Sequence, residues 1–130
     1  MAPGIFSARS REEMPRTFCS RARPGTNLQQ KLEKLMRRAG FETIDFKDKY
    51  AAIKIHFGEP GNLSYLRPNF AKTVADMVKA LGGKPFLTDC NTLYVGRRKN
   101  ALDHMDAAYE NGYSPFSTGC QIIIADGLKG

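Results

Sequence analysis

The feature that most constrains this chain is a rhythm: apolar residues at helical spacing, then glycine, then a short β-like run. Leu28, Leu32, Leu35, Met36 and Ala39 fall on one helix face, with Thr26 as N-cap and Gln29 three residues on, as a capping box requires. Gly40 supplies the left-handed stop. A second helix starts at Pro68, whose missing N–H costs nothing in a first turn, and buries Phe70, Val74, Met77, Val78 and Leu81 before Gly82 and Gly83. A third is capped by Asn100 with Asp103 three residues later, carries Leu102, Met105 and Tyr109 on one side, and ends at Gly112.

Short β-like runs lie between and after these helices, at residues 50–57, 85–88 and 121–125, with a weaker one at residues 5–8 (Ile5, Phe6, Ser7, Ala8). Strands alternating with helices in this way indicate β-α-β units, because parallel strands need crossovers. The expected fold class is therefore α/β: a mostly parallel sheet of about four strands with helices packed on it, in Rossmann-like β-α-β units. The unbroken run Ile122, Ile123 and Ile124 suits a strand covered on both faces, whereas Lys54 interrupts the earlier run.

At 130 residues the chain fits one domain, and 42% apolar with 25% charged residues is the balance of a globular protein. Residues 26–130 are expected to form the α/β domain, preceded by a basic extension, residues 1–25. No apolar run approaches the ~20 residues that cross a bilayer. The first ten residues lack the basic start and long apolar stretch of a secretory signal. No membrane partner and a cytoplasmic location are the expectation. No helix pattern follows residue 126, so the sequence reads like an incomplete fragment of a larger domain, with the remainder of a longer polypeptide as a natural partner.

Charge argues against a nucleic-acid partner. Residues 1–50 hold 11 Lys plus Arg against 6 Asp plus Glu, and residues 51–130 hold 9 against 7. Most of the net +7 thus sits outside the motif-bearing segment, much of it in residues 9–23 between Arg9 and Arg23. Cys19, Cys90 and Cys120 are odd in number and widely spaced, with no C-x-x-C pair, and read as reduced, small hydrophobes.

In open α/β sheets ligands bind beyond the carboxyl ends of the strands, where loops and helix N-termini converge. Here the strands run into His56, Glu59 and Asn62, into Asp89, Cys90, Asn91, Thr92 and Tyr94, and into Asp126, Gly127 and Lys129. Parallel strands place these groups on one rim. His56 is a candidate metal ligand or proton shuttle, or else a hydrogen-bonded structural residue. Asp89 and Asn91 are placed to coordinate a metal or orient a substrate, or else to hold the next loop by Asx-type bonds. Asp126 before Gly127 is also a common turn pair. His104 lies inside the third helix, away from the strand ends, and reads as a surface or packing residue. Two anion sites are expected at helix starts: Arg67 before Pro68, and Arg97, Arg98 and Lys99 before Asn100. The glycines from Gly58 to Gly61 match neither the dinucleotide fingerprint nor the P-loop.

Several of these motifs, taken in order, resemble the DUF362 (domain of unknown function) family. They are Ile53-Lys54-Ile55-His56-Phe57-Gly58-Glu59, Leu66-Arg67-Pro68, and Gly82-Gly83-Lys84-Pro85-Phe86-Leu87-Thr88-Asp89. Asn91-Thr92-Leu93-Tyr94-Val95-Gly96, Asn100 with Asp103-His104, and Ile124-Ala125-Asp126-Gly127-Leu128-Lys129-Gly130 complete the set. The likeness runs from about Leu28 to Gly130. It implies the N-terminal part of an iron–sulfur centre or ferredoxin-like protein, with cluster cysteines in a segment beyond this chain. Together these readings favour a small anionic ligand, or a metal at His56 and Asp89, held on the rim beside an electron-transfer module. The alternatives are a nucleic-acid-binding domain or a purely scaffolding one.

Overall fold

The computed structural model describes residues 25–130. Helix α1 (Leu28–Arg38) is followed by a single 3-10 turn, Phe41–Thr43. Strand β1 (Tyr50–Lys54), helix α2 (Pro68–Ala80) and strand β2 (Lys84–Asp89) come next. The chain continues through α3 (Ala101–Glu110) and the short α4 (Pro115–Thr118) into β3 (Gln121–Ile124). The three strands form one sheet in the order β1-β2-β3, and both pairings are parallel. The architecture is α/β with an open parallel sheet. It has three strands among the described residues where four were expected; residues 5–8 and the rest of the basic extension lie outside the described residues.

Local chemistry sets the element boundaries. Asn27 rather than Thr26 caps α1: its Oδ1 accepts from the Gln30 N–H at 2.8 Å, and Gln30 Oε1 accepts from the Asn27 N–H at 3.2 Å. The capping box is thus present one residue later than expected, because Asn27 is the last residue with extended backbone. Pro85 is tolerated inside β2 because its missing N–H faces the β3 side, and pairing there begins only at Phe86 with Gln121. Gly40 takes the left-handed conformation that stops α1, at φ 85°.

The strands step in one direction across the sheet, so crossovers of one hand place every helix on the same face. That face carries the core: Leu87, Ile122 and Ile124 from the sheet, Ala71 and Ala75 from α2, Ala108 from α3, with Phe57, Tyr113 and Cys120. The opposite face shows Tyr50, Ala52, Lys54 and Ile123 to solvent. Ile123 is 51% exposed, which corrects the expectation that β3 is covered on both sides. Lys54 no longer interrupts a strand; it is an outward position of an alternating one.

The helices also bury faces other than the largest apolar residues suggest. In α2 Met77 and Val78 are buried as expected, but with Ala71 and Ala75 in place of Phe70, Val74 and Leu81, which are half-buried. In α3 the buried residues are His104, Ala107 and Ala108, while Leu102 and Tyr109 are exposed. Small side chains let a helix approach a sheet closely, so alanine marks the contact face better than leucine does here. Helix α1 buries no residue at all.

Candidate functional site

The parallel ladder brings the three strand ends to one edge, as the sequence implies. The Ile55 N–H donates to Thr88 O, and the Ala125 N–H donates to Asp89 O. Asp89 is the centre of this edge, with its side chain only 6% exposed. Lys54 Nζ donates to Oδ1 at 2.7 Å, and the Cys90 N–H donates to the same oxygen at 2.9 Å. Arg98 Nη1 lies 3.4 Å and His104 Nε2 3.5 Å from Oδ2. Burial by itself would raise the Asp89 pKa. Interactions with His104, Lys54 and the Cys90 N–H outweigh it and hold the carboxyl well below its ordinary range. The same contact raises the pKa of Lys54.

Arg98 ties this centre to the loop after β1. Its Nε donates to Glu59 Oε1 at 2.6 Å and its Nη2 to the Tyr94 hydroxyl at 2.6 Å, while the Tyr94 hydroxyl donates to Glu59 Oε1 at 3.2 Å. Arg98 is thus buried and fully engaged by protein groups, not free for an external anion. Arg97 pairs with Glu110 at 2.5 Å. Of the three arginines expected to bind anions, Arg67 alone has no carboxylate partner among the described residues.

The other side of the edge is held by Asn91 and His104. The Asn91 N–H donates to Asp126 Oδ2 at 2.6 Å, and Asn91 Nδ2 donates to Gly127 O at 3.2 Å. His104 Nδ1 lies 3.1 Å from Asn91 Oδ1. Of the two readings, surface or packing, His104 takes the second: it is fully buried, but it packs against Asp89 and Asn91 at the strand ends and not away from them. The sequence signal for it was present: Ala101, His104 and Ala108 follow helical spacing on the small-residue side of α3.

His56 is exposed, and its Nδ1 accepts from the Gly58 N–H at 2.9 Å. This bond engages Nδ1 and leaves Nε2 as the ring nitrogen without a partner among the described residues. Asn62 Oδ1 accepts from the Ser64 N–H at 2.7 Å in an Asx turn, and Thr92 Oγ1 donates to Tyr94 O at 3.2 Å. Lys129 is exposed beyond β3. Among the described residues no group of three or more His, Cys, Asp or Glu side chains is arranged to hold a metal.

A second region opens next to this network. Gly58 has φ 89°, and a Cβ there would stand 2.6 Å from Asn111 Nδ2 and 2.7 Å from the Tyr65 ring. Only glycine allows this approach, which lets Asn111 Nδ2 donate to Phe57 O at 2.9 Å and Tyr113 donate to Leu66 O. Burial and the neighbouring Tyr65 push the Tyr113 pKa up to about 12. Between this braced loop and the start of α2 lies a cleft of about 510 Å³, lined by Leu63, Tyr65, Arg67, Pro68, Asn69, Asn111, Gly112 and Ser117. No carboxylate lines it.

The sequence model of the Domain of unknown function (DUF362) family matches residues 51–130, more than half of the chain. The chain belongs to the DUF362 family. The match takes in all three strands except Tyr50, both regions described above, and all the motifs quoted from Ile53 onward. Helix α1 lies before it. The DUF362 chain matches no curated protein and no solved structure. No helix among its described residues is long and apolar enough to cross a membrane.

An iron–sulfur cluster, which the family resemblance implies, needs about four thiolate ligands. The described thiols are Cys90, exposed at the end of β2, and Cys120, buried under the sheet with its pKa raised by that burial. These residues do not fit such a group.

Proposed function

We propose that this DUF362 protein binds a small anion, a phosphate or carboxylate group, in the cleft at the start of α2, with Arg67 as its principal partner. The observation that carries the reading is an unpaired arginine at the N-terminus of a 13-residue helix, in a cleft without a carboxylate. In the first turn of α2 the Phe70 N–H already donates to Arg67 O at 3.0 Å, which leaves the Asn69 N–H, and the helix dipole favours negative charge there. Pro68 has no N–H, so the Asn69 N–H and side chain are the nearest polar donors to Arg67. Ser117 and Asn111 complete the lining, although the Ser117 hydroxyl already donates to Gly112 O at 2.7 Å.

This reading shifts the ligand away from Asp89, Asn91 and Arg98. Those residues satisfy one another, and a metal at His56 and Asp89 would have to displace Lys54 and Arg98 from the Asp89 oxygens it needs. The Asp89 network is therefore the brace that fixes the rim, and the Arg67 cleft is the part left open to a ligand. In a longer protein the bound anion would sit beside the electron-transfer segment that the family resemblance implies.

Calorimetric titration of the full chain with inorganic phosphate and with a small dicarboxylate tests the assignment. Binding that weakens at least about tenfold in Arg67→Ala, and as ionic strength rises, supports it. Equal binding by Arg67→Ala and the unaltered chain, or no binding of either anion at low salt, overturns it.

A further inference from the structure

Helix α1 packs against α2 and the 3-10 turn, yet its apolar face is not fully covered. Leu28 is 49% exposed, and Leu32 and Leu35 are half-buried. With Leu66 and Phe70 at the start of α2 they line a groove of about 340 Å³. That volume lies at the lower end of the range of about 300–1,000 Å³ typical of small-molecule pockets. Its walls are held in place. The Asn27 capping box fixes the first turn of α1, Leu66 O accepts from the Tyr113 hydroxyl, and the Phe70 N–H donates to Arg67 O.

Lys31 is the charged member of this lining, and its Nζ is buried without a hydrogen-bond partner among the described residues. A lysine beside apolar surface ordinarily lays its stem along it and keeps the ammonium in water. Here the ammonium is withdrawn from water, which is costly unless an acceptor meets it. The helix supplies no acid for it, since the residues one turn away are Asn27, Leu28, Lys34 and Leu35. Glu33 on α1 and Glu42 on the 3-10 turn are both paired with Arg37. Shape and charge thus make separate demands on an occupant: an apolar body and an anionic acceptor.

We propose that this groove binds an aliphatic monocarboxylate, with the carboxylate on Lys31 Nζ and the hydrocarbon chain along Leu28, Leu32, Leu35, Leu66 and Phe70. The carboxylate is the acceptor that the ammonium lacks, and a charge-assisted bond of this kind is strong away from water. The remaining lining is apolar and selects a hydrocarbon chain. A lysine ammonium is a point charge that one negative charge matches; a phosphate group, with nearly two charges and three acceptor oxygens, would be left half-matched among leucines. The groove shares no lining residue with the Arg67 cleft, so this site stands independently of the anion assigned there.

Titration of the full chain with octanoate, followed by methyl and backbone chemical shifts, tests this. Saturable shifts are expected at the Leu28, Leu32 and Leu35 methyls, the Phe70 ring and the Lys31 methylene next to Nζ. Octanol, equal in length but uncharged, should bind at least about tenfold more weakly. Lys31→Met keeps an apolar stem and removes the charge, so octanoate affinity should fall at least about tenfold while octanol affinity does not fall. If that variant fails to fold, the shift map and the preference for octanoate over octanol in the unaltered chain decide the matter. No saturable octanoate binding, octanol bound as tightly as octanoate, or equal octanoate affinity in a folded Lys31→Met overturns the proposal. Shifts centred on Arg67 and Asn69 overturn it too, because the carboxylate then occupies the other cleft.

Discussion

Two clusters of polar residues flank the loop after β1, and they differ in how their charges are spent. Around Asp89, every charged group faces an opposite one: Lys54 and Arg98 on Asp89, and Arg98 again on Glu59. In the cleft at the start of α2, Arg67 faces no carboxylate among the described residues. A buried charge left without a partner is costly, so the first cluster is constrained to stay as it is. An exposed arginine beside a helix N-terminus carries no such constraint, and its bonding capacity is not spent on a carboxylate among the described residues. Richness in polar groups thus marks the rim, while unspent charge distinguishes the proposed binding cleft from the bracing part.

The largest expected effect sharpens this contrast. Asp89→Asn preserves volume but removes the buried carboxylate that faces both Lys54 and Arg98, leaving Arg98 with Glu59 alone, and should cost about 2–3 kcal/mol in urea unfolding. Phosphate affinity of the folded fraction should remain unchanged. A loss below about 1 kcal/mol would break the claim that this cluster is a brace.

Gly58→Ala comes next. The substitution places a Cβ against Asn111 and Tyr65 in a left-handed conformation, and about 1–3 kcal/mol of destabilisation is expected. Because Asn111 lines the cleft, this variant should weaken anion binding as well, which separates it from Asp89→Asn. Full stability with normal binding would mean that the loop is not braced through Asn111.

Stability should also depend on pH at both extremes. The folded-state pKa of Asp89 lies below its unfolded value, so its contribution is complete above roughly pH 4 and is lost as the pH falls through the folded value. Tyr113 is raised to about 12 in the folded state, so the unfolded chain loses that proton first and stability falls as the pH climbs from roughly 10 toward 12. Urea midpoints across pH check both, and the acid limb should flatten in Asp89→Asn. Smallest is the stability effect of Arg67→Ala, within about 0.5 kcal/mol, since its exposed side chain makes no ion pair among the described residues.

Much of this arrangement was legible in the sequence, for identifiable reasons. Proline at the start of α2, asparagine at the start of α3 and the glycine stops act locally, so helix positions followed from neighbouring residues alone. Strand direction followed from the need for crossovers, and that placed Asp89, Asn91 and Asp126 on one edge. The buried faces of α2 and α3 were less legible, because hydrophobic periodicity favours large residues whereas close packing selected Ala71, Ala75, Ala107 and Ala108. His104 packs, as one of its two readings has it, but at the strand ends, because the small-residue face of α3 that carries it gives a weaker signal than leucine does. The pairing of Arg98 with Glu59, 39 residues away, depends on tertiary proximity that sequence spacing does not encode.

The most direct test of the contrast is a chemical-shift map of the full chain titrated with inorganic phosphate. The account predicts saturable shifts centred on the Asn69 and Phe70 amides and the Arg67 guanidinium, with Cys90, Asn91 and Asp126 nearly still. Shifts that concentrate at Cys90, Asn91 and Asp126 while Arg67 and Asn69 stay fixed would contradict it.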